Sequence, residues 1–191
     1  MAMRTRLTAE REAELYEAVL DLLAEVGYDA LTMDAIAART RSSKATLYRQ
    51  WHSKPELVAR ALHQTKPPGL DEIDTGSLRG DFYEILARTD DSKLERDSAL
   101  LRGLIQAVHD NPDLQEALRE QLIEPEKREL DAIVRRAIER GEVSAANPAV
   151  KFVAHMLVGA LFSCLIIDDQ HPDKAYTRQY IDAVVLPALG V

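Results

Sequence analysis

The amino-acid sequence predicts an all-α protein with a small N-terminal head and a larger C-terminal body. Apolar residues recur at helical spacing through most of its 191 residues, and no stretch shows the two-residue alternation of a strand. Residues 66–77 begin with Lys-Pro-Pro-Gly, which stops a helix and favours a linker. The charge also divides there, because residues 1–66 carry 10 Lys and Arg against 9 Asp and Glu, whereas residues 67–191 carry 14 against 23.

The composition favours a folded cytoplasmic protein. A hydrophobic content of 46% is ample for a buried core. The single cysteine, Cys164, lies in an apolar run, which excludes an internal disulfide framework and fits a reducing compartment. The residues after Met1 contain no apolar segment of a secretory signal. The net charge of −8 by itself argues against a nucleic-acid binder, but the acidic excess lies in the body.

Two helices are predicted before residue 40. In residues 9–26 the apolar side chains lie at helical spacing, Thr8 can cap the first turn, and Gly27 ends the helix. A second, shorter helix covers roughly residues 33–39. The hydroxyl of Thr32 can cap the free N–H groups at its start.

A polar turn and a third helix of barely two turns follow. Ser43 can cap this helix, which spans residues 44–50 and directs Leu47 and Trp51 toward a core. The opposite face then displays Lys44, Ala45, Tyr48 and Arg49. Residues 35–55 contain five Lys or Arg and no Asp or Glu. A short basic helix after a tight turn predicts a helix-turn-helix, whose second helix reads base edges in the major groove of DNA.

The sequence from Ser43 to Trp51, SKATLYRQW, followed by Ser-Lys and Glu-Leu, resembles the signature of the TetR family of bacterial transcriptional regulators. The resemblance covers roughly the first 65 residues, and the remainder is similar only in length and helical pattern. Two residues depart from the pattern, because Arg41 and Ser42 stand where the family usually has Gly and Val. A non-glycine residue in a left-handed turn costs about 1 kcal/mol, but Arg41 also adds a positive charge beside the DNA.

The resemblance implies a dimeric, ligand-responsive repressor that binds a palindromic operator in double-stranded DNA. Its motif implies phosphate contacts from four of these residues, Ser43, Thr46, Tyr48 and Lys54, and base contacts from three, Lys44, Ala45 and Arg49. Thr32 completes the expected set of DNA-binding residues. The alternative is that these side chains form an ordinary solvated surface, as charge runs usually do.

The remaining helices are marked by their start and stop signals. Ser53 and Glu56 form a capping box at the start of a fourth helix that ends near residue 65. Further helices are expected at residues 78–89, 92–109, 112–140, 149–168 and 173–189, and Pro125 should kink or interrupt the third of these. We expect about nine helices in all. They divide into a helix-turn-helix domain (1–53), a connecting helix (54–66) and a regulatory and dimerisation domain (67–191).

Residues 152–167 are apolar nearly all the way round. A membrane span is the obvious alternative, but a span needs about 20 residues, and Lys151 and Asp168 close both ends of this run. We expect no membrane contact and predict a homodimer interface, whereas a core helix in a monomer remains possible. The interface residues would be Val158, Leu161, Phe162, Leu165, Tyr176, Tyr180 and Val184.

The body of such a regulator normally encloses a small-molecule effector, and this expectation rests on the resemblance. Apolar faces near two histidines, His109 and His155, could form the pocket. The expected lining residues are Leu101, Leu104, Ile105, Val108, His109, Phe152, His155 and Met156. The alternative for His155 is a hydrogen-bonded core histidine with no ligand role.

Other classes of protein fit less well. The five histidines lack metal-ligand spacing, no glycine-rich phosphate loop is present, and the cysteine lies in a hydrophobic helix. We therefore expect no catalytic residue, metal or cofactor. A purely architectural DNA binder would not require an acidic helical body. Whether such a regulator represses or activates depends on where its operator lies relative to a promoter.

Overall fold

The computed structural model describes residues 8–64, 69–90, 100, 104 and 106–191. All regular structure in these residues is helical, which confirms the all-α prediction. The helices are α1 (Ala9–Ala30), α2 (Met33–Thr40), α3 (Lys44–Trp51), α4 (Lys54–Gln64), α5 (Leu78–Arg88), α6 (106–110), α7 (Pro112–Leu118), α8 (Glu124–Glu139), α9 (Val153–Ile167), α10 (Lys174–Tyr180) and α11 (Leu186–Leu189). Short 3₁₀ turns occupy Leu70–Glu72 and Val150–Phe152.

The described residues fall into two compact units. The first lies within Met1–Thr65 and Gly103–Leu122, and the second lies within Lys66–Arg102 and Ile123–Val191. In the first unit α4 packs against both α1 and α7. The sequence-based domain limits at residues 53 and 66 stay a prediction.

The predicted caps form as expected. Hydroxyls of Thr8, Thr32 and Ser43 each accept a hydrogen bond from a backbone N–H three residues on, at 3.1 to 3.3 Å. The side chain of Asn111 caps α7 in the same way at 2.9 Å, with Pro112 in the first turn. These bonds satisfy N–H groups that have no partner inside the helix, so they set where each helix begins.

Two long helices each contain a widened turn just before a proline. A π-helical segment, Arg119–Ile123, joins α7 to α8 ahead of Pro125, and Ile181–Val185 joins α10 to α11 ahead of Pro187. Proline lacks an N–H group and its ring clashes with the carbonyl four residues earlier. The wider turn accommodates this clash, so the interruption predicted at Pro125 is confirmed, and the one at Pro187 was missed.

The core of the first unit is centred on Trp51. Its side chain is 1% exposed, and its indole N–H donates to the hydroxyl of Tyr16 at 3.0 Å. The same hydroxyl donates to Glu12 at 2.7 Å, and the two rings meet edge to face. Burial, followed by the hydrogen bond to Glu12, raises the pKa of Tyr16 to about 12. This pair ties α1 to α3 and holds the short third helix in place.

The core of the second unit joins α5, α8, α9 and the last long helix. Its buried side chains are Leu78, Phe82, Ile133, Val134, Ala137, Val143, Val153, Ile181, Val185, Leu186 and Leu189. A charged residue, Asp81, is completely buried beside them.

Asp81 lies in a network of hydrogen bonds. Its carboxylate accepts from the N–H and the hydroxyl of Thr75, at 2.7 and 2.8 Å, and from the guanidinium of Arg140 at 3.1 Å. Arg140 also pairs with Glu142, which accepts from the N–H of Leu78 at 2.7 Å. A Cβ on Gly80 would lie 2.3 Å from the hydroxyl of Thr75, so the turn leaves no space for a larger residue. The network fixes the start of α5 to the end of α8.

Candidate nucleic-acid interface

The turn between α2 and α3 has a defined backbone geometry. Arg41 adopts φ 52° and ψ 37°, the left-handed conformation that the sequence analysis expects at this position. The N–H groups of Arg41 and Ser42 donate to the carbonyls of Ala38 and Ala37 at 3.3 and 3.0 Å. Ser43 then caps α3 and makes a second bond, hydroxyl to hydroxyl, with Thr46 at 2.8 Å.

The two faces of α3 differ in the way the sequence predicts. Leu47 and Trp51 are buried in the unit, at 0% and 1% exposure. The face opposite is open to solvent and carries Lys44, Ala45, Tyr48 and Arg49. Ser43 and Thr32 are exposed as well, and Thr46 is half-buried. The structure therefore brings the predicted DNA-contacting residues of α3 onto one surface.

Two of the basic side chains are held by carboxylates. The ammonium of Lys44 lies 2.9 Å from Asp34, at the start of α2, and this hydrogen bond raises the pKa of Lys44. Arg39 pairs with Glu25 through two hydrogen bonds of 2.6 and 3.1 Å. Asp34 lies just outside the acid-free stretch, so counting charges within that stretch missed this pair.

Lys54 has a structural role that the sequence reading missed. Its ammonium donates to the backbone carbonyls of Tyr28 and Leu31, at 2.9 Å each, and lies 4.1 Å from the centre of the Tyr28 ring. Partial burial lowers its pKa. Gly27 leaves the helical conformation with φ 74°, and Lys54 binds the carbonyls that follow this break. Its predicted phosphate contact stays a prediction.

Arg41 and Arg49 are the remaining basic residues of α2, α3 and the turn. Both side chains are exposed, and neither guanidinium has a hydrogen-bond or ion-pair partner among the residues that the structure describes. Their guanidinium groups are therefore available to an external anion. In the sequence between these two arginines are the exposed α3 residues Lys44, Ala45 and Tyr48.

An apolar face of α9 is exposed in the second unit. Phe152 is 47% exposed, Val158 is 48% exposed and Ile166 is 77% exposed. Val150–Ile167 is long and apolar enough to cross a membrane, but the core helix of a soluble protein can have the same length and composition. Here the opposite side of α9 packs inward through Val153, Ala160 and Cys164.

The predicted interface residues divide between exposed and buried positions. Val158 and Val184 are exposed, and Leu161, Phe162, Tyr176 and Tyr180 are half-buried. Leu165 is buried, at 7% exposure, so it offers little surface to a partner, and its interface role stays a prediction. Ile166, the next residue along the helix, is exposed instead, and neither it nor Phe152 was included in the predicted interface.

The predicted pocket residues lie in both units. Leu104 is buried, Val108 is half-buried and His109 is exposed in the first unit, whereas Leu101 and Ile105 lie outside the described residues. In the second unit, Met156 is half-buried, and His155 is exposed with its ring 5.8 Å from that of Phe152. Exposure excludes the alternative that His155 is a core histidine. Within the described part of the chain, no group of three metal-binding side chains occurs.

Comparison with known proteins agrees with this geometry. Residues 15–61 match a family model described as bacterial regulatory proteins, tetR family, and residues 72–184 match one described as the tetracyclin repressor-like C-terminal domain. An uncharacterized HTH-type transcriptional regulator of Mycobacterium tuberculosis is 35% identical over 186 residues, which cover 94% of this chain and 88% of that protein. The DNA-binding transcriptional repressor TetR of Mycobacteroides abscessus is 31% identical and covers 92% of each chain.

A solved structure is also similar along almost the whole chain. The crystal structure of a TetR family transcription regulator superposes with a TM-score of 0.64 at 27% identity, covering 94% of this chain and 98% of the other. The family models, the similar sequences and the similar solved structure all indicate the same family. The chain therefore belongs to the TetR family of bacterial regulatory proteins, which are helix-turn-helix, DNA-binding transcriptional regulators.

Proposed function

We propose that this protein is a cytoplasmic, non-enzymatic repressor that binds a palindromic DNA operator as a homodimer and is released by a small-molecule effector. The observation that carries the proposal is the exposed face of α3, which displays Lys44, Tyr48 and Arg49, while the buried Trp51 anchors the opposite face of this short helix. The name of the M. abscessus relative, a transcriptional repressor, supports the direction of regulation.

Base reading is assigned to the start of α3. Lys44 and Ala45 lie in its first turn, and Arg49 lies on the same exposed side. A lysine can donate to the O6 and N7 atoms of guanine in the major groove. To do so, Lys44 must leave Asp34, so the ion pair competes with DNA for the same ammonium.

Phosphate contacts are assigned to the remaining residues of the site. The side chains of Thr32, Ser43, Thr46 and Tyr48 offer hydroxyl groups at or near the starts of α2 and α3. Such contacts fix the register of a protein on DNA and carry no sequence information directly. The ammonium of Lys54 has three N–H groups, of which two donate to backbone carbonyls, so the third would donate to a phosphate.

Dimerisation through the apolar face of α9 would set the spacing of two DNA-binding heads. Adjacent major grooves on one side of a duplex lie about 34–36 Å apart. An effector that favours one conformation of the body would change this spacing and release the DNA. Which residues contact the effector stays a prediction.

The experiment that tests the proposal is selection of bound duplexes from a random DNA pool at about 0.15 M salt, where nonspecific phosphate binding is weakened. We expect a two-fold symmetric motif whose half-sites lie one helical turn apart. Recovery of no motif by folded protein would contradict sequence-specific binding. Recovery of an asymmetric motif would contradict the homodimer.

Two substitutions on α3 should separate base contacts from phosphate contacts. Tyr48→Ala should weaken binding to selected and scrambled duplexes by the same factor, because a phosphate contact is independent of sequence. Lys44→Ala should lower the preference for one base pair by roughly 10-fold, since a direct base contact discriminates by about that much. Binding is measured by fluorescence anisotropy on duplexes that differ at single positions.

Tyr48→Phe is the matched control, because it keeps the ring and removes only the hydroxyl. It should reproduce the loss in Tyr48→Ala if the hydroxyl makes the contact. An equal loss on selected and scrambled DNA for Lys44→Ala would remove Lys44 from the base-reading set.

A further inference from the structure

The backbone of the turn does not require the side chain of Arg41. Its φ of 52° is a conformation that glycine adopts freely and that other L residues adopt at a cost. The stabilising bonds of the turn come from backbone N–H groups, those of Arg41 and Ser42, and glycine would supply the first equally well. Arginine at this position therefore carries a backbone cost, and its side chain supplies neither of these hydrogen bonds.

The charges around Arg41 in the free protein provide no ion-pair partner for its side chain. Arg41 caps the C-terminus of α2, whose dipole favours a cation, and precedes the N-terminus of α3, whose partial positive charge opposes one. Lys44 follows in the first turn of the same helix. No carboxylate compensates the guanidinium of Arg41 among the described residues, whereas Arg39 and Lys44 each have one. Within the described residues, therefore, no ion pair offsets the backbone cost of arginine at this position, and the guanidinium remains open to an external anion.

We propose that Arg41 is an additional DNA-binding residue that contacts a backbone phosphate beside the start of α3. The inference rests on the proposed DNA-binding function and adds a residue where the family pattern has glycine. Its exposed guanidinium needs to break no ion pair to reach a phosphate, in contrast to that of Arg39. The contact would strengthen binding to all duplexes alike, because phosphates carry no sequence information.

The test compares Arg41→Gly with the wild-type protein in two measurements. Thermal unfolding should show a Tm higher by about 2–4 °C, because glycine relieves the strained backbone. Binding to a mixed-sequence duplex of about 30 base pairs should weaken about 3- to 10-fold at low salt, and the slope of log K against log salt should fall by about 0.9. The two properties thus change in opposite directions.

Two control variants identify the cause. Arg41→Lys keeps the charge and should retain the salt slope, without the rise in Tm. Arg60→Gln removes an arginine of α4 that pairs with Glu56 at 3.2 Å, and it should leave the slope unchanged. If Arg60→Gln lowers the salt slope as much as Arg41→Gly does, the effect comes from net charge and the proposal is overturned.

Wild-type affinity and an unchanged salt slope in Arg41→Gly would show that the side chain is merely solvated and would also overturn the proposal. Wild-type protein that binds no duplex at any salt concentration would instead overturn the proposed function, and this inference with it. The two failures are distinguishable because only the second is seen before any substitution is made.

Discussion

Val158→Asp should convert the proposed dimer to a monomer and lower the affinity for a symmetric operator by at least about 100-fold, since linked binding of two half-sites contributes a factor of this size. Val158 is 48% exposed on an apolar face of α9 that also includes Phe152 and Ile166. A carboxylate buried against the same face of a second copy would have no compensating charge. Light scattering gives the mass, and anisotropy with the selected duplex gives the affinity.

Val26→Asp is the matched control for this substitution. Val26 lies on α1 and is 46% exposed, so the same chemical change is made at a similarly open valine outside α9. Light scattering of the Val26→Asp variant should still give the mass of a dimer. If Val158→Asp also remains dimeric at micromolar concentration, α9 does not form the interface through this residue.

The largest effect on stability is expected for Asp81→Ala, at about 3–5 kcal/mol of unfolding free energy. The completely buried carboxylate accepts hydrogen bonds from Thr75 and from Arg140. Its removal leaves the N–H of Thr75 without this acceptor and removes one of the carboxylates that hold Arg140. Urea unfolding at fixed protein concentration measures the loss, because the proposed dimerisation would make stability depend on concentration.

Asp131→Ala provides the control. Asp131 pairs with Lys127 at 2.7 Å on the exposed side of α8, with about half of its side chain open to solvent. Exposed pairs of this kind contribute little to stability. Asp81→Asn keeps the shape and one acceptor oxygen, so its loss should lie between the two. A loss in Asp81→Ala no larger than that in Asp131→Ala would contradict a stabilising role for the buried network.

Most of the helices and the exposed side of α3 could be predicted because their signals are local. A capping side chain and the N–H that it binds are three residues apart, as for Thr32 and Ser43. The division of α3 into an inward and an outward face follows from helical periodicity. Gly27 and Pro125 act on the backbone around them, so their effects were also visible without a structure.

Contacts across long sequence separations were missed. The bond between Trp51 and Tyr16 joins residues 35 apart, and Lys54 reaches carbonyls 23 and 26 residues earlier. Asp34 and Lys44 are 10 apart on different helices. Each of these contacts depends on how two helices cross, and a periodic pattern carries no information on that.

The sequence by itself determined the all-helical class, the starts of α1, α2, α3 and α7, and which residues of α3 are exposed, since turns, caps and apolar spacing act over a few residues. The start of α9 was not determined, because this helix begins at Val153 instead of residue 149 and has no side-chain cap. Only the tertiary structure decided which charges are already compensated, that Asp81 is buried, and that Ile166 is exposed while Leu165 is not. The physical reason is that solvation and pairing depend on the neighbours that packing supplies. Lys44 and Arg41 carry the same charge in the sequence, but in the structure Lys44 pairs with the carboxylate of Asp34, whereas the side chain of Arg41 is exposed to solvent.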